Sequence, residues 1–157
     1  MKTRLVILLS LFILSGTTLA QNVTDAAGKK QGPWTKNYPN GKMMYEGTFR
    51  DDKPVGVFRR YTEEGILFSE LTYTNGKDEA AALFYYADGT RAAEGKYVAR
   101  GKEGLWRFWS ATQPPYLISE ENYHQDKRHG LSLKYYPDST LADRVAWDMG
   151  NRSGEWL

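Results

Sequence analysis

The chain has 157 residues, 14% of them aromatic, with 21 basic and 19 acidic side chains and no cysteine. The missing cysteines exclude disulfide bonds, thiol catalysis and cysteine-ligated metals. A charge so near balance gives the protein no electrostatic reason to bind nucleic acid.

The first 20 residues have the layout of a secretory signal peptide. Lys2 and Arg4 precede the apolar run Leu5–Leu14, and small residues lead up to Ala20. We therefore expect export to the periplasm or the extracellular space, with cleavage after Ala20; an uncleaved anchor is the alternative. Since Lys2 and Arg4 are the only charged residues of this segment, its removal would leave 19 basic and 19 acidic side chains.

Residues 21–31 are polar and aperiodic, which predicts a flexible linker. A repeat follows this segment. Its units start at Gly32, Gly56, Ala80, Gly104, Gly130 and Gly154, at spacings of 24, 24, 24, 26 and 24 residues. Self-similarity at a fixed period of this length indicates a repeat architecture. The domain would span residues 32–157, and the stretch from Gly154 would act as a partial cap.

Each unit has the pattern of a β-hairpin. In the first unit an aromatic run ends at Pro39-Asn40-Gly41, which is a strong turn signal, and a second run follows it. In the second unit Leu67, Leu71 and Tyr73 share one parity, and a period of two favours strands over helices. We expect an all-β fold, an elongated single antiparallel sheet of consecutive hairpins with about 10–11 strands.

Aromatic residues recur at positions 2, 5 and 17 of the units, counted from the first residue as zero. We interpret these columns as side chains stacked along neighbouring strands, which would form the core. The predicted core residues are Trp34, Phe58, Tyr61, Tyr73, Tyr85, Tyr97, Trp106, Trp109, Tyr123, Tyr135, Trp147 and Trp156. Position 15 alternates between small and large residues, beginning with Gly47, Leu71 and Gly95, and the sequence offers no reason for it.

The repeat resembles the MORN-repeat variant family. The resemblance lies in the opening Gly-x-aromatic-x-x-Tyr, the central glycine turn, the Glu-x-x-Tyr of the second strand and the period near 24, from Gly32 to Leu157. It implies hairpins added edge to edge in one long sheet, in a bacterial exported chain of a kind often labelled as an antitoxin component. An export signal fits poorly with neutralising a cytoplasmic toxin. The sequence departs from the pattern at Ala80–Ala82, at Ser132 and in the insert Gln113–Pro115.

Side chains that could carry chemistry mostly follow the repeat. The acidic column at position 14 could bind a metal or form a solvated face balanced by Lys and Arg, and the second interpretation is favoured. That column consists of Glu46, Glu70, Glu94 and Glu120. His124 and His129 are interpreted as loop residues without a third ligand. No Gly-x-Ser-x-Gly occurs, a paired-carboxylate glycosidase stays open, and we predict no enzyme, no metal and no cofactor.

Tyr38, Tyr86 and Tyr136 occupy position 6 of alternate units. Their rings could stack on a peptide or a sugar, or pack across strands. We predict a non-enzymatic exported repeat scaffold that binds proteins or cell-envelope components and not nucleic acid. A carbohydrate-binding module that uses these tyrosines is one alternative. A phospholipid-associated protein is another, which the neutral processed chain disfavours.

Overall fold

The computed structural model describes residues 21–74 and 77–154. The predicted signal peptide, its cleavage site after Ala20 and the core candidate Trp156 lie outside the described residues. Within the described residues there is no helix whose length and apolar character would allow it to span a membrane.

The described residues form one antiparallel sheet of twelve strands that are adjacent in chain order. This confirms the predicted all-β fold of consecutive hairpins, with one or two strands more than expected. The strands are β1 (Val23–Thr24), β2 (Lys30–Asn37), β3 (Met43–Arg50), β4 (Lys53–Tyr61), β5 (Leu67–Tyr73), β6 (Glu79–Tyr85), β7 (Arg91–Val98), β8 (Gly101–Trp109), β9 (Leu117–His124), β10 (Lys127–Tyr135), β11 (Leu141–Asp148) and β12 (Asn151–Ser153).

The segment 21–31, expected as a flexible linker, contributes strand β1 and the start of β2. Val23 pairs with Gln31 and Thr24 with Lys30. The turn between the two strands is held by Asp25, whose Oδ1 accepts hydrogen bonds from the backbone N–H groups of Ala27 and Lys29 at 2.9 and 3.0 Å. A strand of two residues is too short to show the alternation that marks a strand in a sequence. Its pairing depends on this turn.

Two kinds of turn connect the strands. Within units the chain adopts a positive φ at Gly41, Gly65, Gly89 and Ser139. Between units two consecutive residues have positive φ, as in Asp51-Asp52 and Ala99-Arg100. Two such residues are typical of tight type I′ hairpin turns, whose twist matches that of the flanking strands. Short turns of these two kinds join most of the strands, and a longer loop, residues 110–116, joins β8 to β9.

The pleat sorts the repeat positions onto two faces. Positions 2, 15 and 17 share the aromatic face, which carries Phe49, Phe58, Tyr73, Tyr97, Trp106 and Tyr123. Position 5 lies an odd number of residues from position 2, so its side chains point to the other face. There Tyr61 and Tyr135 donate hydrogen bonds to Glu46 and Glu120 at 2.7 and 3.0 Å. The single core of three columns is therefore divided, and Tyr61, Tyr85, Trp109 and Tyr135 belong to the charged face.

The rings of the aromatic face form two clusters. One surrounds Phe58, whose ring centroid lies 5.5 Å from Phe49 and 6.4 Å from Tyr73. The other surrounds Trp106, 5.0 Å from Tyr97 and 6.2 Å from Phe84. Trp106 is 1% exposed and Phe58 8%, whereas the other predicted core rings in the described residues, including Trp34 and Trp147, are half-buried.

Glycine at position 15 explains why small and large residues alternate there. The Phe58 ring lies directly on Gly47, and the Trp106 ring lies directly on Gly95, so that a methyl group at either glycine would overlap the ring. The large position-2 rings of the second and fourth units thus require a glycine on the preceding strand. In the third unit position 2 is Ala82, and Leu71 fills position 15 on the strand before it.

Replacing Trp106 by alanine should reduce the free energy of unfolding by about 3–5 kcal/mol, the usual cost of truncating a buried aromatic side chain. Gly95→Ala should also destabilise the protein, because the added methyl group displaces the Trp106 ring. In the double variant the glycine substitution should cost much less, since residues in contact are not additive. Urea unfolding of the four proteins measures this. A loss below about 1 kcal/mol for Trp106→Ala, or additive losses, would contradict the packing.

Candidate binding groove on the aromatic face

A groove of about 360 Å³ separates the two aromatic clusters. We call it the central groove. Ala80 lines it, and Ala82, which is buried on the same strand and face, occupies position 2, where the units before and after carry the rings of Phe58 and Trp106. Its apolar lining consists of Phe68, Leu71, Tyr73, Ala80, Phe84 and Tyr97. The missing ring leaves a concave apolar site of the size that accepts a single large side chain.

Three charged side chains, those of Arg60, Asp78 and Arg100, line the central groove together with Tyr73. Burial raises the pKa of Tyr73, the guanidinium groups of Arg60 and Arg100 lower it, and Asp78 raises it. Neither arginine has a carboxylate within ion-pair distance among the described residues. Two uncompensated cations thus lie beside an apolar pocket.

A second groove, of about 570 Å³, continues from the central groove and shares Tyr73, Asp78 and Arg100 with it. We call it the turn groove, because its remaining lining comes from the β3–β4 turn with the start of β4 and from described residues between β5 and β6. The cations of its lining are Arg50, Lys53, Lys77 and Arg100. Of its acids, Asp51 accepts a hydrogen bond from Gln31 and Asp52 from the Lys30 backbone, each at 2.9 Å. Together the two grooves form a continuous path with an apolar part and a cationic part.

The opposite, charged face carries two Glu–Arg–Glu triads. In the first, Arg59 is cross-strand neighbour to Glu46 and Glu70, and its guanidinium lies 3.8 and 2.8 Å from their carboxylates. In the second, Arg107 lies 3.3 Å from Glu94 and 2.8 Å from Glu120. Leu83 separates the triads in the register between Glu70 and Glu94.

The acidic column is therefore a set of ion pairs. Within residues 21–74 and 77–154, no group of three or more His, Asp or Glu side chains could hold a metal ion. Hydrogen bonds from Arg107, and to a smaller extent from Tyr135, lower the pKa of Glu120, against the effect of burial. Burial and the hydrogen bond to Glu120 raise the pKa of Tyr135.

The repeat pattern in the sequence and this sheet of hairpins point to one family. Residues 30–51 and 54–75 match the family model described as MORN repeat variant. The chain carries MORN-variant repeats. A search of the curated proteins finds no match. The match covers the first two units, and the later units share their aromatic columns and continue the same sheet of hairpins.

The position-6 tyrosines of the MORN-variant units lie at the turns. Tyr38 donates a hydrogen bond to the Tyr61 carbonyl at 2.9 Å, and Tyr86 donates one to the Trp109 carbonyl at 2.7 Å. In both cases the acceptor belongs to the next unit, so these hydroxyls join units within the sheet. Tyr136 is 56% exposed. The structure thus assigns Tyr38 and Tyr86 a packing contact, and it does not bring the three rings together as one site.

The two histidines each face a carboxylate at the β9–β10 hairpin. His124 Nδ1 lies 3.0 Å from Glu103, and His129 Nδ1 lies 3.3 Å from Asp148. Their ring centroids are 5.9 Å apart. These contacts fix the imidazole orientation away from both grooves. Both histidines lie in strands on either side of the β9–β10 turn, so their interpretation as loop residues is wrong.

A buried ion pair interrupts the aromatic face in the fourth unit. Glu121, at position 15, accepts hydrogen bonds from Tyr123 at 2.7 Å and Arg128 at 3.0 Å. Burial and the bond to Glu121 raise the pKa of Tyr123 to about 12. The Arg128 guanidinium also lies 4.9 Å from the centroid of the Trp147 ring. This pair fills the place that glycine or an apolar residue takes in the other units.

The sequence interpretation missed the charged residues of the grooves. Arg60 occupies position 4, which shares parity with position 2 and therefore lies on the aromatic face. That column reads Lys36, Arg60, Phe84, Phe108 and Lys134. Its parity could have placed Arg60 and Phe84 beside the Ala80–Ala82 irregularity. Arg100 and Lys77 lie in turns, where no periodicity shows which face a side chain joins.

Glu120→Gln should remove a pH-dependent part of the stability. A carboxylate whose pKa is lowered on folding stabilises the protein above its ordinary value of 4.5, and this contribution is lost as the pH falls through the lowered value. Because the partner Arg107 is 42% exposed, the effect should be about 1 kcal/mol or less near pH 7. Urea unfolding at a series of pH values measures it.

Glu63→Gln is the control, because Glu63 lies exposed in a turn. The difference in unfolding free energy between the parent and Glu120→Gln should shrink below pH 4.5, and Glu63→Gln should follow the parent throughout. A difference that stays constant with pH would contradict the role assigned to the Arg107–Glu120 pair.

Proposed function

We propose that this chain is an exported, non-enzymatic scaffold that binds a segment of another protein, or of a protein component of the cell envelope, in the central groove. The observation that carries the proposal is the gap at Ala80 and Ala82. A ladder of rings that runs along the aromatic face is interrupted there by two small side chains, with Tyr73 on one side and Tyr97 and Phe84 on the other.

A groove of this kind suits an extended peptide. Its apolar part accepts one large side chain, while the flat sheet on either side leaves room for the chain to continue. Aromatic walls contribute large contact area with little loss of side-chain entropy. The proposal of export rests on the pattern of residues 1–20, with its basic start, apolar run and small residues before Gln21.

Three consecutive alanines allow a matched test. Ala80 lines the groove and Ala82 is buried beside it on the same face, whereas Ala81 is exposed on the opposite face. A random 12-residue peptide library is selected on the protein expressed from the full coding sequence, with counter-selection on Ala82→Leu. Selected peptides should bind the parent and Ala81→Leu with equal affinity, and should bind Ala82→Leu and Ala80→Leu at least about tenfold more weakly.

Circular dichroism of each variant verifies its fold before binding is scored. Peptides that bind all four proteins equally, or no enrichment at all, would overturn the proposal. A glycan array and pelleting with anionic vesicles, run on the same proteins, test the two other ligand classes. Binding to a glycan or to vesicles that is lost in Ala82→Leu would indicate that the ligand is a sugar or a lipid and not a peptide.

The first residue of the exported protein tests the predicted cleavage. Gln21 as the first residue would support export, and retention of Met1 would contradict cleavage.

A further inference from the structure

We infer that the segment bound by this chain is acidic, with an apolar side chain in the central groove followed by carboxylates that lie along the turn groove. The inference rests on the proposed function and specifies the chemistry of the partner. It is carried by the charges that line the two grooves, which the aromatic columns do not explain.

The first step is that the arginines of the central groove are uncompensated. On the charged face, Arg59 and Arg107 each have two carboxylates within 4.0 Å. On the aromatic face, Arg128 is paired with the buried Glu121 at 3.0 Å. Arg60 and Arg100 differ from these, because no carboxylate of the described residues is within ion-pair distance.

The second step is that the neighbouring acids do not cancel these cations. Asp78 is the one carboxylate that acts on the Tyr73 hydroxyl together with the two arginines. Glu79 lines the groove as well, but its neighbour Ala80 is on the aromatic face, so the pleat directs the Glu79 side chain to the other face. Around Tyr73 two positive charges therefore oppose one negative charge.

The third step is that the excess of cations continues into the turn groove. Its lining holds four cations, Arg50, Lys53, Lys77 and Arg100, against the three carboxylates of Asp51, Asp52 and Asp78. Hydrogen bonds from Gln31 and from the Lys30 backbone orient Asp51 and Asp52. A ligand that leaves the apolar part in this direction meets basic side chains. A carboxylate bound there gains charge-assisted hydrogen bonds, and arginine can form two of them in parallel.

The test compares peptides rather than partners. Peptides selected from the random library should carry Asp or Glu next to an apolar residue, and their Asn/Gln counterparts should bind about tenfold more weakly at low salt. The double variant Arg60→Gln, Arg100→Gln should lower the affinity for the acidic peptides by a similar factor. The loss should shrink at about 0.5 M salt, where charges are screened over a few ångströms.

Lys36→Gln with Lys134→Gln is the matched control. It also removes two positive charges, and both lysines occupy position 4 of the repeat, as Arg60 does, but neither lines either groove. This control should change the affinity less than twofold. Selection of neutral or basic peptides whose binding is lost in Ala82→Leu would overturn the acidic preference and leave the proposed function intact. Equal losses of affinity in the two double variants would show that the overall charge of the protein, and not Arg60 and Arg100, determines the binding of acidic peptides.

Discussion

The packing of one ring on one glycine of the neighbouring strand is the contact on which the sheet depends. A single sheet has no second layer against which to bury its side chains, so cohesion must come from contacts between neighbouring strands. Phe58 on Gly47 and Trp106 on Gly95 provide the closest of these contacts. Because glycine has no side chain, the ring lies against the backbone and becomes buried on an otherwise open surface. Tyrosine and phenylalanine rings of the adjacent strands then complete each cluster.

The true structural period is two units rather than one. Glycine at position 15 is followed by a large ring at position 2 of the next unit, and this order occurs in units one and two and again in units three and four. The Glu–Arg–Glu triads on the charged face follow the same order, as do the hydroxyl-to-carbonyl bonds of Tyr38 and Tyr86. Each pair of units is thus joined on both faces. The central groove lies at the boundary between the pairs, between the two aromatic clusters.

Much of the fold could be predicted from the sequence because it repeats. The 24-residue period, the turn glycines and the alternation in the second strand were sufficient for the sheet of hairpins. The division of the aromatic columns between the two faces could have been predicted, because positions 2 and 5 lie an odd number of residues apart, but the sequence interpretation missed it. Strand β1 could not be predicted, because it depends on the Asp25 turn and on Asn22, which accepts a hydrogen bond from the Thr35 backbone at 2.8 Å. Arg60 could have been placed on the aromatic face from its parity, whereas Lys77 and Arg100 lie in turns, where spacing carries no information about the direction of a side chain.

Proton NMR of Gly95 tests the ring-on-glycine contact most directly. A proton that lies under an aromatic ring resonates upfield of its usual position, so the Hα signals of Gly47 and Gly95 should both be displaced upfield. In Trp106→Leu the Gly95 signals should return to the ordinary range while those of Gly47 remain displaced. Ordinary shifts at both glycines in the parent protein, or a Gly95 signal that does not respond to Trp106→Leu, would contradict the account.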